Sequence, residues 1–174
     1  MARPSETGAI RPERKADMNV IGAMRTERGE GKEPQRKLID IIWETVAPSS
    51  PGLDKNRFIV ALQKYMKSGP HKLLQVGNTV FLMTAIAPGT IEFVTFSKEP
   101  LQALVQRYKT AADIVRKMGV RKVFAYAKEP GMQRIAQNIG MPVKIGQGQR
   151  MAGNQMVPVY TFEIDLTPQA KAGA

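Results

Sequence analysis

The chain has 174 residues and 19.2 kDa, which fits one domain with tails. It holds no cysteine, which excludes disulfides, thiolate zinc sites, iron–sulfur clusters and cysteine nucleophiles. A single histidine, His71, excludes a multi-histidine metal site. Lys and Arg total 26 against 15 Asp and Glu, a formal net charge of +11, which suggests polyanionic company such as nucleic acid, acidic protein surfaces or phosphorylated ligands.

Residues 1–34 read as an extended, disordered arm of mixed charge, with Ile10, Met18, Val20, Ile21 and Met24 as almost its only large apolar residues. That is too little apolar surface to offset the entropy of ordering the segment. Residues 1–37 carry nine Lys/Arg and six Asp/Glu, so most of the positive charge falls on the rest of the chain. The first residues lack the apolar stretch of a secretory signal, and the longest apolar run, around residues 80–86, is too short to span a bilayer. The expectation is a soluble protein, intracellular or enclosed in a particle.

The folded part, residues 35–167, opens with Leu38, Ile41, Ile42, Thr45 and Val46 at helical spacing, ended by Pro48 to Gly52. Asp54 then caps a second helix with Phe58, Ile59, Leu62, Tyr65 and Met66 on one side, and Gly69-Pro70 stops it. Strands at 72–76 and 79–86 meet at Gly77-Asn78, a tight hairpin signal. After Pro88-Gly89, residues 90–96 alternate as a third strand. Residues 101–118 carry the longest helical stripe, from Leu101 through Tyr108 to Val115, with Gly119 placed to end it. A buried strand at 122–127, a short helix at 132–139 and strands at 143–145 and 157–166 follow. A polar, glycine-containing loop is expected between the last two, and residues 168–174 form a small-residue tail. The order α, α, β, β, β, α, β, α, β, β describes an α+β protein with a mixed, mostly antiparallel sheet.

That order resembles the GNAT superfamily of acyl-CoA-dependent N-acetyltransferases over about residues 36–166. The local match is Gly119-Val120-Arg121-Lys122-Val123-Phe124-Ala125-Tyr126-Ala127, followed by Met132-Gln133-Arg134-Ile135-Ala136-Gln137-Asn138-Ile139-Gly140-Met141. The resemblance implies a GNAT-like sheet flanked by helices. It also implies a glycine-rich turn into the long helix, where backbone N–H groups approach the coenzyme A pyrophosphate. Here that stretch, Ser97 to Val105, has no glycine, Pro100 lacks an N–H, and Glu99 brings negative charge to the phosphate position. Many members carry a tyrosine general acid on the short helix, and the matching residue here is Ala136.

Glu92 is the general-base candidate, because the bases of the resembled family often lie on this strand; its other reading is the solvent side of an alternating strand. His71 has the chemistry of a base or pH sensor, or is a solvated loop residue. Lys98, Arg107, Lys109, Arg116, Lys117, Arg121, Lys122, Lys128 and Arg134 stand against three acids between residues 98 and 134, and form either a polyanion-binding face or a solvated helix face. Arm residues Arg11, Arg14, Lys15, Arg25, Arg28 and Lys32 are candidates for binding a neighbouring subunit.

Three functions follow. The first is a non-enzymatic structural protein on a degenerate GNAT-like fold, of the kind encoded among tailed-phage virion genes. It would take no cofactor, sit in the virion, contact other assembly proteins through its arm and touch DNA non-specifically. The second is a cytoplasmic N-acetyltransferase that uses acetyl-CoA. The third is a nucleic-acid-binding accessory protein, whose affinity would fall steeply with salt.

Overall fold

The computed structural model describes residues 34–127, 131–152 and 154–167, together with the backbone of residues 23–26. Helix α1 (Leu38–Val46) buries Leu38, Ile41 and Ile42, three residues on one helical face, and a 3-10 turn at Ala47–Ser49 carries Pro48 out of it. Helix α2 (Lys55–Lys67) starts where the Asp54 side chain accepts a hydrogen bond from the Arg57 N–H at 3.0 Å. The expected apolar side of α2 is only partly covered. Met66 is fully buried, Phe58 and Leu62 are half-buried, and Tyr65 is exposed.

Among the described residues, seven strands form one sheet: β1 (Ala23–Thr26), β2 (His71–Val76), β3 (Thr79–Ala87), β4 (Thr90–Ser97), β5 (Lys122–Ala127), β6 (Val143–Ala152) and β7 (Gln155–Asp165). Their spatial order is β1-β2-β3-β4-β5-β7-β6. The β1–β2 and β4–β5 pairs are parallel and the others antiparallel. Helix α3 (Leu101–Lys117) crosses from β4 to β5, and helix α4 (Gly131–Asn138) from β5 to β6.

Side chains that alternate along the strands feed two cores. Leu74, Phe81, Phe93, Val123, Ala125 and Phe162 pack beneath α3 and α4, with Tyr108, Val115 and Ile135 from the helices. On the opposite face, Leu73, Val80 and Leu82 meet Leu38, Ile41 and Ile42 of α1. Gly77, at φ +61°, and Gly89, at φ +70°, make the two β-turns, a backbone conformation in which a Cβ is costly.

Four expectations change. Within the stretch expected to be a free arm, Ala23–Thr26 lies as a strand parallel to β2, from Ala23 beside Leu73 to Thr26 beside Val76. The other arm residues before Pro34 and the 168–174 tail are outside the described residues. The expected loop after residue 145 is instead a long hairpin, in which Gly146 lies opposite Thr161 and Met151 opposite Met156. Glycine is accommodated there because a Cβ at Gly146 would stand 3.0 Å from the Thr161 hydroxyl oxygen. The strand at 122–127 is not buried throughout: Val123 and Ala125 face the core, while Lys122, Phe124 and Tyr126 project from the other face. The helix expected at 132–139 begins and ends one residue earlier. Among the described residues no helix is long and apolar enough to cross a membrane.

Candidate functional site

The parallel pair β4–β5 is closed only over part of its length. Thr90 to Phe93 run beside Lys122 to Ala125, and the pairing then stops. Beyond it, β4 stays with β3 as far as Ser97 opposite Thr79, and β5 stays with β7 as far as Ala127 opposite Tyr160. The two strands therefore part, and residues 94–97 and 126–127 flank a split in the sheet whose edges are not paired with each other. Backbone N–H and C=O groups along such an edge are available to an extended ligand.

Glu92 stands at the base of this split. Its neighbour Phe93 points into the α3 core, so Glu92 projects from the other face with Phe124 and Tyr126. On that face, among the described residues, the strand members of the core come from β2, β3 and β4 only. The β5, β7 and β6 surface beside Glu92 has no such cover. The Arg150 Nη1 donates to the Glu92 Oε2 at 2.5 Å, and its guanidinium carbon lies 4.2 Å from the centre of the Tyr126 ring. The Glu92 side chain is 16% exposed and Arg150 44%. Arg150 reaches β4 from the far end of β6, a separation of 58 residues.

His71 opens β2 rather than lying in a loop. Its Nδ1 is 2.8 Å from the Thr84 hydroxyl and its ring stacks on Tyr65 with centroids 4.1 Å apart. Thr84 in turn stands opposite Glu92 in the β3–β4 register, so His71, Thr84 and Glu92 share one cross-strand row.

The turn into α3 differs from the expectation in one respect. Glu99 does not hold an open negative charge. Its carboxylate accepts from the Arg107 Nε and Nη2, both at 2.9 Å, and from the Thr79 hydroxyl at 2.7 Å. Burial alone would raise its pKa; the hydrogen bonds from Arg107 and Thr79, the Arg107 charge and the Asn78 backbone N–H outweigh that and hold it below the ordinary glutamate value. Pro100 is the N-cap residue of α3, no side chain caps the first turn, and no acid lies in it. The positive end of this 17-residue helix thus starts shortly after the end of β4 with no side-chain cap on its first N–H groups. Beside it, Arg36, Glu44, Asn78, Lys98, Glu99 and Pro100 line a cavity of about 190 Å³. Ala136 is packed in the core of α4 and offers no proton.

The eight described cations between residues 98 and 134 are not gathered on one surface. Arg107 is committed to Glu99, Arg116 and Lys117 both reach Asp113, and Lys122 pairs with Glu163 at 2.9 Å on the opposite face of the sheet. Lys98 lies at the cavity beside α1 and Lys109 is half-buried on α3, while Arg121 and Arg134 are exposed at opposite ends of the β5 crossover. Lys128 is outside the described residues, as are Arg11, Arg14, Lys15, Arg28 and Lys32; Arg25 lies in β1. Sequence reasoning missed Arg150 and Tyr126. The alternation of Gly146 and Gly148 with longer residues was the available sign that Arg150 lies on a strand.

Solved structures to which this chain is similar include GNAT-superfamily N-acetyltransferases. A point variant of the spermidine N-acetyltransferase SpeG from Vibrio cholerae superposes with a TM-score of 0.54 at 9% identity, covering 74% of this chain and 90% of that one. A GNAT superfamily phosphinothricin acetyltransferase from Sinorhizobium meliloti, solved with acetyl-CoA, gives 0.52 at 8% identity, covering 78% and 89%. The chain therefore has a GNAT-like fold. No protein-family model and no curated protein matches the sequence.

Proposed function

We propose that this chain is an acyl-CoA-dependent N-acyltransferase in which Glu92 takes the proton from the acceptor amine. The observation that supports this best is the parting of β4 and β5 immediately beyond Glu92. An extended thioester arm suits a slot edged by free backbone groups. The uncapped first turn of α3 at the same end suits the pyrophosphate. With the Glu99 charge drawn into Arg107 and Thr79, the repulsion expected from sequence is largely removed. The donor supplies the acyl group and a thiolate leaving group. The chain's part is to orient the amine, exclude water and hold the proton on the Glu92 carboxylate. The absence of glycine from 97 to 105 calls for a looser pyrophosphate grip, and Ala136 leaves the departing thiolate without a side-chain acid on α4.

Titration with acetyl-CoA by calorimetry tests the reading. Saturable micromolar binding is expected, and Glu92→Gln is expected to keep binding while lowering turnover by about 10²–10⁴-fold. No heat at millimolar ligand would remove the enzyme. It would leave the second reading, favoured by Ala136 and the glycine-free turn: a non-catalytic scaffold, such as a tailed-phage virion component, whose N-terminal residues bind neighbouring subunits.

A further inference from the structure

We infer that Glu92 and Tyr126 form a subsite for a cationic nitrogen, and that Arg150 fills it in the free protein as an internal stand-in for the acceptor. The geometry is that of a cation receptor. A carboxylate oxygen contacts the guanidinium at 2.5 Å, while the face of an aromatic ring lies 4.2 Å beneath it. A carboxylate and a π face together select positive charge over neutral polarity, and the ring adds preference for a flat or alkylated cation. Both receptor groups rise from adjacent strands at the base of the split, Glu92 on β4 and Tyr126 on β5 just past the last paired residues. The occupant comes from elsewhere, near the turn of the β6–β7 hairpin.

The occupant is also displaceable. Arg150 is 44% exposed while Glu92 is 16% exposed, so the arginine side of the pair is open to solvent and can be exchanged. An amine acceptor reaches the protein as an ammonium ion at neutral pH and so carries the charge the subsite already holds. The acceptor class is therefore a primary amine that is cationic in solution, such as an alkylammonium or a lysine side chain; a guanidinium fits the subsite as a bound cation but keeps its protons and is no acyl acceptor. Displacement of Arg150 would deliver that nitrogen to the Glu92 carboxylate. This assignment of acceptor class rests on the acyl-transfer reading, but the subsite is measurable without any acyl donor.

The test is an NMR titration of the full chain with n-butylammonium and with methylguanidinium, using n-butanol and n-butyrate as controls. Both cations are expected to shift the Tyr126 ring resonances saturably, and n-butanol is not. Arg150→Gln is expected to tighten cation binding by up to about fivefold, because the competitor is gone. Tyr126→Leu is expected to weaken it. Lys144→Gln removes one positive charge elsewhere on the same face and is expected to leave affinity unchanged. If Arg150→Gln weakens cation binding, Arg150 is a partner of the ligand and the inference fails. It fails equally if Lys144→Gln tightens binding as much, since the effect would then be a long-range field. Butyrate binding that Arg150→Gln abolishes would also overturn it, by making the site an anion site. Cation binding without acetyl-CoA binding removes the transferase and keeps the subsite; the reverse result removes the subsite alone.

Discussion

Glu99 and Arg107 face each other across the first two turns of α3, joined by two parallel hydrogen bonds of 2.9 Å. Their side chains are 14% and 20% exposed, so this pair is better shielded than the other ion pairs among the described residues. It ties the start of α3 to the β2–β3 turn through Thr79. Arg107→Leu leaves the Glu99 carboxylate with Thr79 and the Asn78 backbone N–H in a partly dry site. The expected loss is about 2 kcal/mol in urea unfolding, against less than about 0.5 kcal/mol for Lys117→Gln at the exposed end of the same helix.

Gly77→Ala is expected to be more damaging than an ordinary turn substitution. The residue sits at φ +61°, and an added Cβ would run into the Arg107 guanidinium. Backbone strain of about 1 kcal/mol would combine with displacement of Arg107 from Glu99. The substitution should therefore lose most of its effect in an Arg107→Leu background, which a double-mutant cycle by thermal unfolding will read.

Acid should weaken the fold through Glu99. Its folded pKa is depressed, so its contribution is present above the unfolded value of about 4.3 and is lost as pH falls through the folded value. The unfolding free energy is expected to decline below about pH 4.3, and Glu99→Gln should flatten that decline. An unchanged slope would mean that other carboxylates carry it.

The alkaline limb belongs to Tyr108. Burial pushes its phenol up from 10.0 to about 12, only partly opposed by the hydrogen bond with Thr95. A raised folded pKa means stability is complete below pH 10 and declines as pH rises toward 12. Spectrophotometric titration should show one tyrosine ionising only near pH 12, or with unfolding. Tyr108→Phe should remove that component and cost about 1 kcal/mol at neutral pH, since Thr95 loses its partner.

A strand added at the sheet edge shows where sequence patterning stopped being informative. Residues 38–46, 101–117 and 122–127 repeat their apolar side chains at helical or alternating spacing, so their elements were legible. Ala23–Thr26 and residues 146–152 have no such pattern. They become strands because neighbouring strands satisfy their backbone groups.

The site divides in the same way. The sequence alone determined the element order from residue 38 onward, the absence of cysteine chemistry, the net positive charge, and Glu92 as an acid on a strand of a GNAT-like sheet. Each of these depends on local spacing or on composition. Tertiary structure alone decided that β4 and β5 part beyond Glu92, that Glu99 is drawn into Arg107, and that Arg150 lies across Tyr126 onto Glu92. Those relations join residues brought together only when the sheet closes. A charge 58 residues away leaves no periodic trace, because its energy depends on distance in space rather than along the chain.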